Sequence, residues 1–352
     1  MNSGALKILE AGFKKTIREL FLPLFHYALT KKFLDRYFNA LNSSLATYFT
    51  YRERDLSLSE RPIDFPSNEF QLVKSDIGIV IQGPILHHQN FTYATILRYL
   101  NFYPGVQVVL ATWKNEEIQS FVSLQNEFSN FHILQLDKPS ASGPSNINYQ
   151  IMSTKAGLLK TQELGVDYVI KTRTDQCLYD PFALDRLRLA LKSSDEIDGI
   201  GRIVFLSLNS FVFRLYGPSD MFQFGRVDQI LKYWTLPYDN RSYFIETEFP
   251  ISLRDYSKNE ICEVYLCANY LRSLGFKLDF TMKQNLTFFR DFFIILDASS
   301  VDLVWNKYTF SEDRWAVPSF PHKFQEWNFA LWGNLNQGID NLSNYDSFLE
   351  SK

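Results

Sequence analysis

The sequence is poor in cysteine and methionine, and it lacks any long apolar run. Of its 352 residues only 3 are Cys and 4 are Met. Three cysteines cannot form a disulfide framework, and Cys262 and Cys267 have no histidine close in sequence to complete a zinc site. No stretch of about 18 apolar residues occurs, so no segment is predicted to span a bilayer.

Two nucleotide-binding motifs and a secretory leader are missing as well. The sequence contains neither Gly-x-Gly-x-x-Gly nor Gly-x-x-x-x-Gly-Lys-Ser/Thr, which disfavours dinucleotide oxidoreductases and P-loop enzymes. The first residues show no charged segment followed by an apolar one, so we expect no secretory signal. Together with the cysteine usage, this predicts a cytoplasmic protein.

Charge is nearly balanced overall but unevenly placed. The net charge is −3, with +5 on residues 1–52 and therefore −8 on residues 53–352. Six apolar residues in the basic segment recur at steps of three and four, which predicts one face of a helix: Leu6, Leu9, Phe13, Ile17, Leu20 and Leu24. Such a helix either lies on an anionic membrane, at its cytoplasmic face, or packs on the protein's own body. Scattered cations on an acidic chain indicate no nucleic-acid partner.

The rest of the chain has the pattern of an α/β protein. Residues 53–75 are polar and aperiodic, which indicates a linker. Strands are predicted over 77–81, 106–111, 132–136 and 167–171, alternating with helices over 92–101, 116–128 and 147–164. This alternation predicts a domain over 76–310 with a mostly parallel, Rossmann-like sheet flanked by helices. Ligands of such sheets bind beyond the carboxyl ends of the strands.

The first two strands are followed by candidate ligand contacts. Gln82, Gly83 and Pro84 end the first strand: Gly83 allows close backbone approach, Pro84 fixes the turn, and Gln82 offers both a donor and an acceptor. An ordinary strand-ending turn is the alternative. Trp113 follows the second strand and either stacks on a base or sugar or belongs to the core.

The fourth strand leads into the sharpest signal of the sequence. Lys171, Arg173 and Asp175 lie where an apolar strand meets a turn. A carboxylate there can hold a divalent cation that bridges a diphosphate, and an arginine can pair with phosphate oxygens. A structural Arg–Asp pair that caps the next helix is the alternative.

Taken together, several blocks resemble the WavE family of bacterial lipopolysaccharide-synthesis proteins. The blocks, in chain order, are VIQGPI (80–85), ATW (111–113), NYQIMST (148–154), KTRTD (171–175), SDMFQFG (219–225), EVYL (263–266) and YL (270–271). The likeness runs from about residue 77 to 308 and excludes the basic segment. It implies a GT-A-like glycosyltransferase that binds a nucleotide-diphospho-sugar and acts on a cell-surface glycan.

The resemblance also shows a departure from the GT-A pattern. Such enzymes commonly hold a metal and the diphosphate with Asp-x-Asp, whereas this chain reads Arg173-Thr174-Asp175. Either Asp175 still binds a divalent cation, Mg²⁺ or Mn²⁺, or Arg173 and Lys171 neutralise the leaving diphosphate directly. Both alternatives stay open at this point.

Further donor contacts are expected at the start of the third helix. A loop rich in Ser, Gly and Pro over 140–145 precedes Asn148, and Gln150, Ser153 and Thr154 follow. A helix N-terminus there can present N–H groups and hydroxyls to the donor, with helix capping by Asn146 or Asn148 as the alternative.

A transfer that inverts the anomeric centre needs a base for the acceptor's proton. Glu263, near the start of a helical run over 260–274, is the favoured candidate, because GT-A bases are often acids at such a position. Asp220 is the second candidate, with a binding role as its alternative. Glu246 and Glu248 are further alternatives, and a plain helix acid or strand cap would also explain the first two.

Residues 311–352 are predicted to form an aromatic tail packed on the domain. The aromatic run that starts at 288–296 and continues through Trp305 to Trp332 has no helical or strand period, and a sugar-binding rim is the alternative. The family resemblance implies a glycosyltransferase that extends a lipid-linked or oligosaccharide acceptor in a lipopolysaccharide core, lipooligosaccharide or capsule. A glycan-binding assembly protein and a sugar nucleotidyltransferase are the rival interpretations.

Overall fold

The computed structural model covers most of the chain beyond the basic segment. The residues it describes are 75–192, 196–197, 199–241, 252–260, 262–306, 325–338 and 342–350. The predicted helix over 1–52, the linker up to residue 74, and Glu246 and Glu248 lie outside these ranges. Among the described residues, no helix is long and apolar enough to cross a membrane.

Strands and helices alternate through this part of the chain. The strands are β1 (Ile77–Gln82), β2 (Gln107–Trp113), β3 (Phe131–Leu136), β4 (Tyr168–Arg173), β5 (Gln176–Leu178), β6 (Ile203–Leu206), β7 (Gln223–Arg226), β8 (Phe293–Leu296) and β9 (Leu303–Trp305). The helices are α1 (Phe91–Phe102), α2 (Gln119–Glu127), α3 (Ile147–Glu163), α4 (Ala183–Lys192), α5 (Val227–Trp234), α6 (Leu253–Lys258), α7 (Glu263–Ser273), α8 (Met282–Phe292) and α9 (Phe329–Asn336).

One large sheet organises the fold, with strand order β3-β2-β1-β4-β7-β6-β8. β7 is antiparallel to both of its neighbours, and the other strands run in a common direction. β5 and β9 form a separate antiparallel pair beside it. The prediction of a mostly parallel α/β sheet flanked by helices is confirmed.

Both faces of the large sheet are covered, as parallel strands require. Ile79 and Val80 point to opposite faces of β1, and both are fully buried. The Val80 face lies against α3 so closely that a Cβ on Gly157 would clash with Val80 Cγ1. Glycine at this position lets α3 pack directly onto β1.

The strand order places a switch point between β1 and β4. From β1 the chain builds β2 and β3 on one side, and it then returns to place β4 on the other. Gln82, at the end of β1, is aligned with Arg173, at the end of β4. Ligands of open α/β sheets bind at such a point, outside the carboxyl ends of the strands. The predicted motifs of β1 and β4 therefore share the expected ligand edge.

Part of the aromatic C-terminal region contacts the body of the domain. Trp327 stacks on Phe289 of α8, with ring centroids 4.9 Å apart, and Trp332 Nε1 donates to the Phe289 carbonyl at 3.0 Å. Backbone bonds also join residues 325 and 327 to residues 212 and 210. These contacts bring Glu326 beside the segment that connects β6 and β7.

Candidate active site

Thr174 ties the ends of β1 and β4 together. Its N–H donates to the Gln82 carbonyl at 3.1 Å, and its hydroxyl donates to the Pro84 carbonyl at 2.5 Å. Gly83, between these bonds, has a φ of +120°, which favours glycine. A Cβ at Gly83 would lie 3.1 Å from Thr174 Oγ1. The Gln82-Gly83-Pro84 segment is therefore a tight turn packed under β4, in which Pro84 alone is exposed.

Arg173 and Asp175 form what we call the strand-end pair. Arg173 Nε and one terminal nitrogen each donate to a different oxygen of Asp175, both at 2.9 Å. Trp305 Nε1 of β9 donates to Asp175 Oδ2 at 3.1 Å. Asp175 does not cap the next helix, which begins at Ala183. The pair is partly exposed, so the guanidinium is held at the sheet edge with access to solvent.

This arrangement does not suit a divalent cation. Both carboxylate oxygens of Asp175 are already engaged by Arg173, and a guanidinium at that distance repels a second cation. Within the described ranges, no group of three or more His, Cys, Asp or Glu side chains can hold a metal ion. We therefore derive no step through a metal, and a Mg²⁺ or Mn²⁺ site at Asp175 stays a prediction.

Lys171 lies beneath the strand-end pair in the interior. Its side chain is fully buried, its Nζ donates to the Asp220 carbonyl, and the Trp234 ring lies 4.7 Å from Nζ. Burial lowers the pKa of Lys171 to about 7; Asp220 and Asp175 oppose this change and Arg173 adds to it. Lys171 therefore interacts electrostatically with both the strand-end pair and the loop that carries Asp220.

Glu263 and Arg214 form a second pair, which we call the helix-start pair. Glu263 is the first residue of α7, and Arg214 lies in the segment between β6 and β7. A terminal nitrogen of Arg214 lies 3.3 Å from Glu263 Oε1. Both side chains are largely buried. Since β6 runs parallel to β4 and β7 returns, this segment also lies at the carboxyl edge of the sheet.

The acidity of Glu263 is set by burial and by two nearby charges. Burial raises the pKa of the Glu263 carboxyl, Arg214 lowers it, and Asp220 raises it. The two predicted catalytic acids, Glu263 and Asp220, are thus close enough to influence each other, and Lys171 lies next to Asp220. A buried carboxyl with a raised pKa is chemically suited to general-base work near neutral pH.

Gln82 and Trp113, like Lys171, lie in the interior. Gln82 is 4% exposed, and its Oε1 accepts a bond from Ser153 Oγ at 2.9 Å. Trp113 is 2% exposed, and its ring meets that of Tyr149 edge-on at 5.5 Å. Because β2 continues beyond the predicted strand end, Trp113 belongs to the strand and offers no ring face to a ligand in this arrangement. Donor binding by either residue stays a prediction.

Asn148 joins two loops at the start of α3. Its Nδ2 donates to the carbonyls of Ala141 and Asp239 at 3.2 and 3.0 Å, and its Oδ1 accepts from the Asp239 N–H at 2.7 Å. Both amide hydrogens are thus engaged, and the side chain is fully buried. Asn148 shapes the loop before α3, and its predicted contact with a donor is untested.

Two helices begin at this edge without a side-chain cap. Asn90 before α1 and Asn146 before α3 have left-handed φ values of 53° and 63°, and neither side chain bonds to its helix. α1 follows β1 and α3 follows β3, so both N-termini face the carboxyl edge. N–H groups in the first turns bond to backbone carbonyls, Thr92 to Leu86 at 3.3 Å and Asn148 to Ser142 at 2.9 Å. The helix dipoles still place partial positive charge at this edge, which favours anions.

Sequence reasoning does not select Arg214 or Asn209, and it considers Trp305 only as part of the alternative sugar-binding rim. Asn209 Nδ2 donates to Glu263 Oε1 at 2.8 Å across a separation of 54 residues, and Trp305 meets Asp175 across 130. No spacing rule links positions that far apart. The single local signal is Asn209 itself, a residue type that tolerates the φ of +61° it adopts in a turn after an apolar strand.

Comparison with known proteins assigns the family. A family model described as WavE lipopolysaccharide synthesis matches residues 77–290. The chain belongs to the WavE family. The match contains β1, the strand-end pair, Asp220 and the helix-start pair, and it ends before Trp305. The resemblance noted from the sequence blocks is thereby confirmed. No curated protein matches the chain.

Solved structures similar to this WavE protein show only weak likeness. A 4-diphosphocytidyl-2C-methyl-D-erythritol synthase has 10% identity and a TM-score of 0.36, covering 70% of this chain and 98% of that one. A cytidylyltransferase from Leptospira borgpetersenii serovar Hardjo-bovis (strain JB197) has 12% identity and a TM-score of 0.34, covering 79% and 98%. A mannose-1-phosphate geranyltransferase from Thermus thermophilus has 13% identity and a TM-score of 0.25, covering 38% and 41%. Likeness at this level adds no argument about function.

Proposed function

We propose that this WavE protein is a glycosyltransferase that moves a sugar from a nucleotide-diphospho-sugar to a bacterial lipopolysaccharide-type glycan. The observation that carries the proposal is a convergence at one sheet edge. Lys171 of β4 donates to the Asp220 carbonyl, and the charge of Asp220 in turn raises the pKa of the buried carboxyl of Glu263. Glycosyl transfer needs these two functions together: positive charge for the leaving diphosphate and a base for the acceptor.

The cationic side of the site binds the donor's diphosphate. Arg173 presents a partly exposed guanidinium, and its planar fork matches phosphate oxygens as well as it matches Asp175. The N-termini of α1 and α3 at the same edge add partial positive charge. As the bond between the anomeric carbon and the diphosphate oxygen breaks, these groups stabilise the negative charge that develops on the leaving group.

The acidic side of the site activates the acceptor. In a transfer with inversion, the acceptor hydroxyl oxygen forms the new bond to the anomeric carbon and gives its proton to the Glu263 carboxylate. Burial raises the pKa of Glu263, which makes it a better base at neutral pH than an exposed glutamate. Asp220 is the second candidate for this role, and it influences Glu263 through its charge.

The acceptor in this proposal is a lipid-linked or oligosaccharide glycan, of the lipopolysaccharide core, lipooligosaccharide or capsule type. Family membership supports this choice, since the matching family is described by lipopolysaccharide synthesis. The +5 segment over 1–52 would bring the protein to anionic lipid at the cytoplasmic face of the membrane. A vesicle sedimentation assay of the intact chain and a chain lacking 1–52 tests that attachment: equal sedimentation would refute it.

A ligand screen tests the function itself. The intact chain is heated with nucleoside diphosphates and nucleotide sugars, each with Mg²⁺, with Mn²⁺ and with a chelator. We expect at least one nucleoside diphosphate to raise Tm by several degrees, since a ligand at about 100 times its Kd adds about 2.7 kcal/mol of stability. A shift that persists in the chelator supports charge neutralisation by Arg173 and Lys171. No shift with any nucleotide, alongside binding to a lipopolysaccharide acceptor, would instead indicate a glycan-binding protein.

A further inference from the structure

Asn209 connects Glu263 to two further side chains, those of Glu326 and Arg214. Its backbone N–H donates to Glu326 Oε1 at 2.6 Å, its Nδ2 donates to Glu263 Oε1 at 2.8 Å, and its carbonyl accepts from Arg214. The φ of +61° lets all three bonds form at once, and asparagine tolerates that conformation better than most residues. Asn209 therefore fixes Glu263 relative to the segment between β6 and β7.

Arg214 is held in place from its own segment. Its Nε donates to the Gly217 carbonyl at 2.9 Å, a terminal nitrogen donates to the Asn209 carbonyl, and its Cζ lies 4.9 Å from the Phe211 ring centroid. The side chain is 9% exposed. The guanidinium is thus held by its own segment where it forms the ion pair with Glu263.

Two side chains hold the Glu263 carboxylate. Asn209 Nδ2 bonds to Oε1, and Arg214 forms an ion pair with the same oxygen. We propose that Asn209 and Arg214 form a positioning pair that holds the Glu263 carboxylate for the acceptor hydroxyl. This inference rests on the proposed glycosyl transfer. It gives Arg214 a function in acceptor activation that differs from that of Arg173 in donor binding.

The pair has a consequence for the pH dependence of transfer. Besides Arg214 and Asp220, the titratable groups that face Glu263 are Tyr233 of α5, Tyr256 of α6 and Cys262. Burial raises the pKa of Tyr256 and of Cys262 to about 12, and that of Tyr233 well above its usual value, so all three are neutral near pH 7. The charged neighbours are then Arg214 and Asp220, with Glu326 on the far side of Asn209.

Arg214→Met removes the cation from beside Glu263. The pKa of Glu263 then rises, so the base stays protonated to higher pH, and the acidic limb of the kcat/KM profile moves upward. We expect a shift of about one pH unit or more, the usual effect of an opposite charge at this distance. Arg214→Lys keeps the charge without the planar fork. The acidic limb of its kcat/KM profile should therefore lie close to that of the intact protein. Both are measured in the full chain from about pH 5 to 9.

A matched control separates positioning from general damage. Arg254 is also a largely buried arginine, bonded to Asp346 and to the Phe280 carbonyl, and it belongs to neither pair of the proposed site. Arg254→Met should lower stability without moving the limb. If Arg214→Met also leaves the limb in place while Glu263→Gln abolishes transfer, the positioning pair is wrong and the proposed function stands.

A second readout works without turnover. Carbon-13 NMR of labelled glutamate follows the Glu263 carboxyl through its titration, with Glu263→Gln to assign the signal. A higher pKa in Arg214→Met than in the intact protein supports the electrostatic part of the pair even if no transfer is found, in which case the proposed function fails alone. An unchanged pKa overturns the pair.

Discussion

The strand-end pair and the helix-start pair contain the same kinds of residue at the same edge of the sheet, yet they are built differently. Arg173 donates two hydrogen bonds of 2.9 Å to Asp175, and the indole N–H of Trp305 donates a third to the same carboxylate. Arg214 lies 3.3 Å from Glu263 Oε1, Asn209 donates to the same oxygen at 2.8 Å, and Asp220 adds a like charge nearby. The first carboxylate is bonded to a guanidinium fork and an indole, whereas the second is bonded to a neutral amide and has a longer contact to its arginine.

Burial and geometry suit the two pairs to opposite parts of the proposed reaction. At the end of β4 a carboxylate holds a partly exposed guanidinium, which the proposal assigns to the diphosphate. At the start of α7 a buried guanidinium lies beside a carboxyl whose pKa burial raises, which the proposal assigns to the acceptor's proton. Four substitutions test this difference.

Glu263→Gln breaks the helix-start pair and should have the largest effect. The amide keeps the shape but cannot take a proton, so we expect kcat to fall by about 100- to 10,000-fold with little change in the KM for donor. Steady-state kinetics of transfer measure both constants. Asp228→Asn, an exposed acid in the first turn of α5, is the control and should behave like the intact protein. A loss of kcat under tenfold would remove Glu263 from the role of base.

Arg173→Met breaks the strand-end pair. The lost charge-assisted bonds, of about 1.5–3 kcal/mol, should weaken nucleoside diphosphate binding by about 10- to 100-fold. Isothermal titration calorimetry measures the affinity. Arg290 makes a similar fork with Asp291 away from the ends of β1 and β4, so Arg290→Met controls for loss of a surface pair. Equal affinities for the two variants would refute diphosphate binding by Arg173.

Lys171→Met removes the buried residue of β4 that bonds to the Asp220 carbonyl. The folded pKa of about 7 lies below the unfolded value of about 10.4, so the unfolded chain binds the extra proton between them. The free energy of unfolding should therefore rise by about 2 kcal/mol from pH 7 to pH 9 in the intact protein relative to Lys171→Met. Urea unfolding at each pH measures this difference.

Lys171→Met also loses the bond from Nζ to the Asp220 carbonyl. This loss lowers the free energy of unfolding equally at every pH, so it does not change the slope of that free energy against pH. Lys114→Met, at an exposed lysine paired with Asp137, should leave the slope of the intact protein unchanged. If Lys171→Met and Lys114→Met show the same slope, Lys171 is not a buried amine with a lowered pKa.

Trp305→Phe weakens the strand-end pair but leaves its two Arg173–Asp175 bonds in place. The change removes the N–H that bonds to Asp175 Oδ2 but keeps an aromatic ring, so the cost should be about 0.5–1.5 kcal/mol. Diphosphate affinity should fall by about 2- to 10-fold, less than for Arg173→Met, because the fork itself remains. A loss as large as that of Arg173→Met would show that Trp305, and not the fork, controls the site.

The strand-end pair is easier to predict from the sequence than the helix-start pair, because its residues are close together in the chain. Lys171, Arg173 and Asp175 follow one another along β4, so an apolar strand that meets a charged turn is visible locally. Glu263 was selected as the start of a helix, and α7 does begin there. Its partners Arg214 and Asn209 come from a loop about 50 residues earlier, and only the return of β7 beside β6 brings them together.

The second strand is predicted to end at residue 111, but β2 extends through Trp113, which pairs with Leu136 of β3 and is buried. Burial in the core is one of the two alternatives that the sequence leaves open for Trp113. Asn148 and Gln82 looked available because both are polar, whereas their amide groups join elements of the fold. Periodicity cannot show which polar side chains are used internally, because that depends on contacts distant in sequence.

Product analysis by phosphorus-31 NMR tests the central claim most directly. The intact protein is incubated with the nucleotide sugar that raises its Tm and with a lipopolysaccharide-type acceptor, with Glu263→Gln in parallel. The account predicts that nucleoside diphosphate appears in step with sugar on the acceptor, and that Glu263→Gln releases almost none. Pyrophosphate formed from a nucleoside triphosphate and a sugar phosphate, with no glycosylated acceptor, would contradict the account and make the protein a nucleotidyltransferase.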